Sequence, residues 1–370
     1  MQLVPEGDLD AFYESMTDVL SAECDSLALH KFYDGHNQLD EQLWTHAAQL
    51  GWLGVGLPEA YGGLDMGVQG LDVLYRALGG AGAPGAFHST LPAAQWLAEV
   101  AEPELQGELL PQIVAGELEV AIPATPAGSS IVLNDHRLTG VSQLTLTSSR
   151  ASLAVVAIQR SAVGGFALVR LDDPGVRVDA VDLWDRTRRA VTIRCDDVRP
   201  LAVIHDATGK VGRSLFRHLS LAVAADSFGG GRRIALQTVE YLKTRVQFDK
   251  PLASFQALKH RCANLMLSLA PAEELVRQAV EMTALQDPHA EMWVEIGKAA
   301  ASESFKFVAD DCVQLHGGVG FTWEFDCHIF LKRALFNEFL AGDNYTQRER
   351  AADRLTGATI AGLTTAELAA

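Results

Sequence analysis

Residues 313–321 read VQLHGGVGF, and the reading of this stretch decides the fold. It closes a run with helical spacing, and Gly317, Gly318 and Gly320 remove the side chains from a chain reversal. Glycines at such a point let backbone N–H groups come close to a ligand, often a phosphate. Gln314 and His316 would add hydrogen bonds. The residues alone leave a second reading open: a glycine cap at a helix end, with His316 a satisfied polar residue.

The sequence on either side of this loop is helical from about residue 210 to the end of the chain. One helix is expected over 210–247, carried by Leu215, Leu219, Val223, Leu236, Val239 and Leu242. In it, Gly229, Gly230 and Gly231 permit close packing or a bend. A second is expected over 254–286 and a third over 289–315. Between the first two lies RVQFDKPLASFQ (245–256), whose Pro251 breaks the helix. Arg245 at that break offers a planar fork to a phosphate or carboxylate, or else a charge favoured by the helix dipole.

Earlier segments differ. From about Glu119 to Ile204 the chain has short β-rich runs, 153–158, 166–171, 176–181 and 190–195, with turns such as Val163-Gly164-Gly165 between them. Asp185-Arg186-Thr187-Arg188-Arg189 reads as a solvated turn. The first ~118 residues are helical again, with helices expected over 9–24, 40–50 (capped by Asp40), 68–79, 92–100 and 103–115. GWLGVGLPEAYGG (51–63) interrupts them as an irregular loop. The expected fold is α+β: an N-terminal α-helical domain (1–118), a middle β-barrel or sandwich domain (119–208) and a C-terminal helical bundle (209–370).

Bulk properties narrow the function. A net charge of −17 disfavours nucleic acid and anionic membranes as partners. Hydrophobic residues make up 48% and charged residues 21%, as in an ordinary soluble chain. Cys24, Cys195, Cys262, Cys312 and Cys327 show no metal-ligand spacing, so free buried thiols are expected and no metal site. The acidic N-terminal stretch has no apolar signal region, and no apolar run approaches the ~18 residues that span a bilayer. A cytoplasmic protein is the expectation.

Three separated motifs resemble the acyl-CoA dehydrogenase family: GWLGVGLPEAYGG (51–63), RVQFDKPLASFQ (245–256) and QLHGGVGFTWEFDCHIFLKRA (314–334). The resemblance covers almost the whole chain. It implies a C-terminal four-helix bundle, α,β-dehydrogenation of an acyl-CoA thioester, and FAD shared at a subunit interface. One chain's middle domain holds the flavin ring, and the neighbouring chain's C-terminal domain holds the pyrophosphate and adenosine. By residue match, Arg245, Gln247, Phe248, Gln314, His316, Gly317 and Gly318 belong to that second half-site. An electron acceptor such as electron-transfer flavoprotein is implied as a further partner.

The sequence departs from the family where the chemistry lies. A carboxylate base is required for the α-proton, and many members carry it as a Glu in a pattern like YEGTxxxQR. Here the matching stretch is LAGDNYTQR (340–348); Gly342, Gln347 and Arg348 keep their places, and Ala341 stands at the Glu position. A position used by other members falls on Leu219, between His218 and Ser220; Asp226 lies further along the same helix. In the middle domain, within IPATPAGSSIVLNDHRLTGVSQLTLTSS (122–149), the family's acidic residues are missing from TPAGSS (125–130), and Leu144 stands where an aromatic usually covers the flavin.

The expected protein is therefore the non-catalytic subunit of a heteromeric acyl-CoA dehydrogenase, working beside a homologous subunit that carries the carboxylate. It resembles the partner subunits of bacterial steroid side-chain degradation. The alternatives are a self-sufficient homotetramer using Asp343 as base, and a structural paralogue that binds no flavin. Trp323 and Glu324 are expected to pack on and cap the helix that follows them.

Overall fold

The structure is a computed structural model and describes residues 3–126, 128–159 and 164–360. Val163 and Ala127, both in motifs named above, lie outside the described residues. Helices come first: α1 (Glu6–Glu23), α2 (Ser26–Tyr33), α3 (Leu39–Gln49), α4 (Gly67–Ala81), α5 (Phe87–Val100) and α6 (Pro103–Val114). Strands follow: β1 (Val120–Pro123), β2 (Val132–Asn134), β3 (Arg137–Val141), β4 (Thr145–Thr147), β5 (Leu153–Ile158), β6 (Gly165–Arg170), β7 (Val176–Val181), β8 (Arg189–Val198) and β9 (Ala202–His205). The chain then returns to helix with α7 (Lys210–Thr244), α8 (Gln256–Ala284), α9 (Ala290–His316), α10 (Cys327–Phe339) and α11 (Asn344–Ile360). A small hairpin, β10 (Val246–Gln247) with β11 (Lys250–Pro251), links α7 to α8.

The helical, β, helical order is the expected one. By contacts, the chain divides into two compact units, one of residues 35–67 and 84–219, the other of 1–34, 68–83 and 220–370.

In the first unit the strands form one curled nine-stranded sheet, ordered β2-β3-β8-β4-β1-β5-β6-β9, with β7 on β8. Neighbours are antiparallel except β1 and β5. A bridge between Val132 and Gln159 brings the β2 edge back to the end of β5. Alternate residues, Ala154, Val156 and Ile158 on β5 and Val191, Ile193 and Cys195 on β8, fill one core, as the two-residue strand period requires. The loop after α3 folds on itself: a Cβ on Gly63 would lie 2.0 Å from the Leu57 carbonyl oxygen. That close approach accounts for Gly63, and a left-handed φ of 84° accounts for Gly62, without any chemistry.

In the second unit, α9 packs on α8, α10 and α11. The glycines of α7 permit close approach here. A Cβ on Gly229 would fall 2.1 Å from the Arg76 carbonyl oxygen of α4, and one on Gly230 would fall 2.6 Å from Phe305 Cζ of α9. Inside this unit Arg333 and Asp226 form a fully buried ion pair. Asn337 Nδ2 also donates to Asp226 Oδ2 at 2.7 Å, and Arg333 Nη1 donates to the Ala83 carbonyl at 3.1 Å.

Three expectations need correction. Gln38, not Asp40, is the N-cap of α3, and Asp40 sits in its first turn, where a negative charge suits the helix dipole. The 185–189 segment is not a solvated turn, because Asp185, Thr187 and Arg188 are buried. Asp185 Oδ1 accepts from the Thr187 amide and hydroxyl, and Arg188 Nη2 lies 3.3 Å from His88 Nε2, so the charges are internally solvated. Asp326, not Glu324, is the N-cap residue of α10. Its carboxylate does not bond the helix; it accepts from Ser26, His30 and Gln237. All five cysteines are free, four buried and Cys262 half-buried.

Candidate functional site

The residues singled out around VQLHGGVGF and RVQFDKPLASFQ all lie in the second unit, on neighbouring pieces of chain. Helix α7 ends at Thr244, and the exposed Arg245 follows it. The Arg245 amide still donates to the Tyr241 carbonyl at 2.9 Å, and its own carbonyl accepts from Leu252 at 2.8 Å. Its guanidinium has no ion pair among the described residues. The β10–β11 hairpin then turns through Phe248 (φ 53°) and Asp249 (φ 62°), both left-handed without glycine. Such a turn is backbone strain held in place by the hairpin. It displays Phe248 with 84% of its surface exposed.

Helix α9 ends at His316, where Gly317 (φ 66°) reverses the chain. A Cβ on Gly320 would strike the Val313 carbonyl at 2.5 Å, so that glycine serves internal packing. Gly317 and Gly318 are exposed and would meet nothing within 4 Å. Gly318 has no positive φ either, so the chain itself gives no reason for it. A bare backbone facing open space fits the close approach of an external phosphate. Exposed Gln314 stands on the last turn of α9. His316 is buried, and burial pulls its pKa down, against the Cys312 carbonyl that raises it. Its Nδ1 donates to that carbonyl at 2.8 Å.

Tyr241 sits between these two motifs. Its ring stacks on His316 with centroids 4.2 Å apart at 16°, its hydroxyl donates to the His316 carbonyl at 3.4 Å, and Phe325 meets it edge-on at 5.0 Å. Sequence alone does not single out Tyr241; its only signal is its place one helical turn before Arg245.

The Ala341 turn is built differently. Helix α10 stops at Phe339, and Ala341 takes a left-handed φ of 60°, followed by Gly342 at 105°. Ala341 is fully buried. Its carbonyl accepts from Gln347 Nε2 at 2.8 Å. Lys298 of α9, also fully buried, donates from Nζ to the Glu338 carbonyl at 2.8 Å, the Gly342 carbonyl at 2.7 Å and Asn344 Oδ1 at 3.2 Å. Burial pulls the Lys298 ammonium down to about 7, while Asp343 and Glu338 oppose that shift. Asp343 is exposed and caps α11, accepting from the Thr346 amide at 2.8 Å. That bond holds its carboxyl below the ordinary value.

The other positions considered for a base are also occupied. Leu219 is fully buried, and Asp226 is paired with Arg333. In the first unit, His218 Nε2 donates to Glu99 Oε1 at 2.9 Å, and Arg217 Nη2 donates to Glu99 Oε2 at 2.6 Å. Burial would raise the Glu99 carboxyl, but His218, Arg217 and Ser214 together bring it down to about 2.

The 122–149 segment uses its polar groups internally. Ser129 Oγ donates to the Ala157 carbonyl at 2.6 Å, Ser130 Oγ to the Val141 carbonyl at 3.0 Å, and Gln143 to the Thr125 carbonyl. Leu144 is half-buried. Among the described residues no cluster of His, Cys, Asp and Glu could hold a metal, and no helix is long and apolar enough to cross a membrane.

An arginine with no ion pair among the described residues and a bare, exposed glycine backbone lie on neighbouring pieces of a helical–β–helical chain. The acyl-CoA dehydrogenase C-terminal domain description matches residues 210–356, and the N-terminal domain description matches 7–117. The chain belongs to the acyl-CoA dehydrogenase family, whose cofactor is FAD. It is 26% identical to the acyl-CoA dehydrogenase IpdE2 of Mycobacterium tuberculosis, over 90% of this chain and 92% of that one. Among solved structures, the ChsE4-ChsE5 complex from Mycobacterium tuberculosis matches with TM-score 0.86 and 25% identity, over 96% of this chain and 99% of that one. A variant of the Tcur3481-Tcur3483 steroid ACAD matches with TM-score 0.85 and 24% identity, over the same shares.

Proposed function

We propose that this chain is the subunit of a heteromeric acyl-CoA dehydrogenase that lends the phosphate-binding half of an FAD site to a partner and has no catalytic base of its own. The observation that carries the reading is the contrast between two regions. The Arg245 and Gly317–Gly318 region is open and exposed, and the Arg245 guanidinium has no ion pair among the described residues. At the Ala341 turn the backbone is closed and buried, with no carboxylate at position 341.

When bound, FAD supplies the acceptor for the substrate β-hydride. The residues here are suited to holding it. Arg245 presents a fork to the pyrophosphate oxygens, and Gly317 and Gly318 offer amides without side chains in the way. Gln247, Phe248, Gln314 and His316 complete the exposed rim and its support. Against a role for Asp343 as base stands its use as a helix cap: its lowered pKa suits an ionised cap in water, and a base of useful strength needs a pKa near the operating pH. The internally bonded Ser129, Ser130 and Gln143 support a weakened grip on the flavin ring.

That ChsE4 and ChsE5 form a complex of two differently named chains supports the heteromer. We propose a bulky acyl-CoA of the steroid side-chain class as substrate, with electron-transfer flavoprotein or a similar carrier as acceptor. The test is co-expression with homologous family members, followed by flavin counting in the purified complex. Half as many flavins as chains, with activity only in the complex, is the expected result. One flavin per chain and full activity in this protein alone would overturn it.

A further inference from the structure

We infer that Tyr241 is a positioning residue that holds the two cofactor-gripping motifs in one register. The inference rests on the reading of Arg245 and Gly317–Gly318 as a donated FAD half-site. The two motifs are 72 residues apart in sequence (245 to 317), on different helices, and each alone is a weak phosphate site. To act as one grip they need a common reference.

Tyr241 supplies it from a single side chain and its own backbone. Its carbonyl accepts from the Arg245 amide at 2.9 Å, so it sets where the chain leaves α7. Its ring lies flat on His316, 4.2 Å away, and its hydroxyl reaches the His316 carbonyl, the peptide that leads into Gly317. Phe325, beyond the glycine loop, closes on both rings, 5.0 Å from each. A shift of α7 against α9 therefore breaks the stack before it separates the motifs. The stack also fixes the imidazole. With the Nδ1 proton committed to the Cys312 carbonyl, Nε2 carries the lone pair and suits a hydroxyl or amino donor, not a phosphate oxygen.

The test uses the co-expressed complex and measures FAD dissociation well below the unfolding temperature. Tyr241→Met, of similar reach but without the ring, is expected to weaken FAD binding about three- to tenfold, the worth of one aromatic pair. Tyr241→Phe keeps the ring and is expected to bind like wild type. A Phe variant as weak as the Met variant, or a Met variant as tight as wild type, overturns the inference. A double-mutant cycle with Arg245→Ala separates positioning from general loosening. The Tyr241→Met loss should shrink when Arg245 is already gone, whereas independent effects would add. Arg245→Ala alone also tests the underlying reading. If it leaves FAD binding unchanged, the donated half-site fails; if it releases FAD while Tyr241→Met does not, only the positioning role fails.

Discussion

Lys298 Nζ lies 2.7 Å from the carbonyl oxygen of Gly342, and the two residues are 44 positions apart on α9 and the α10–α11 turn. With the Glu338 carbonyl and Asn344 Oδ1 also bound, three N–H donors meet three oxygens. This turn is closed by a buried amine, an ammonium with three N–H donors below about pH 7, together with the fully buried Leu340 and Ala341.

Lys298→Met removes the donor and leaves buried carbonyls unpaired, each costing about 1–3 kcal/mol. The variant is expected to be less stable by at least that amount. The pH dependence has a defined sign. The unfolded chain takes up the Lys298 proton below its ordinary value of 10.5, and the folded chain only below about 7. Wild-type stability therefore rises relative to Lys298→Met as pH goes from 7 towards 10. Urea titrations of both proteins across that window check this, and a constant difference would refute it.

Glu99 predicts the opposite window. Its folded carboxyl is held down to about 2 from an ordinary 4.5. Its contribution is full above pH 4.5 and is lost as pH falls towards 2. The Glu99→Gln variant should lose less stability than wild type over that acid range. Acid-induced unfolding followed by circular dichroism gives the comparison.

The Arg333–Asp226 pair is wholly buried. Arg333→Met leaves the Asp226 carboxylate uncompensated and should cost about 3–5 kcal/mol. The double variant Arg333→Met/Asp226→Leu should recover much of that loss. If the double variant is as unstable as the single one, the ion pair is not the cause.

The α7 glycines should differ in tolerance. Gly229→Ala drives a methyl into the fixed backbone carbonyl of Arg76, whereas Gly230→Ala meets the far end of the Phe305 side chain, which can give by a small tilt of the whole ring. Thermal melts should show the first costing about 3 kcal/mol or more and the second about 1–2 kcal/mol. Equal costs would mean that α4 yields to α7 instead.

The long helices were legible because apolar residues recur with the helical period over many turns; α7, α8 and α9 fall within a few residues of their expected bounds. Helix α2 was missed because its eight residues hold too few periods to register. Strands β1, β2 and β4, at three to four residues, carry no alternation either. The 185–189 segment was misread because charged residues suggest water, and only the fold shows that Asp185 solvates its neighbours internally. Within the candidate site, Arg245 and the glycine loop were visible as motifs. Lys298 was not: it sits inside an apolar helix, and its partners are backbone carbonyls, which leave no mark on a sequence.

The unit that carries the cofactor motifs is assembled from three separate stretches, 1–34, 68–83 and 220–370. During synthesis its first two stretches leave the ribosome long before Arg333 exists to meet Asp226 and the Ala83 carbonyl. The sheet-bearing unit, finished by residue 219, can fold while the early helices still wait. Leu29 and Tyr33, which cluster with Ile329 in the finished unit, therefore wait for that partner until late in translation.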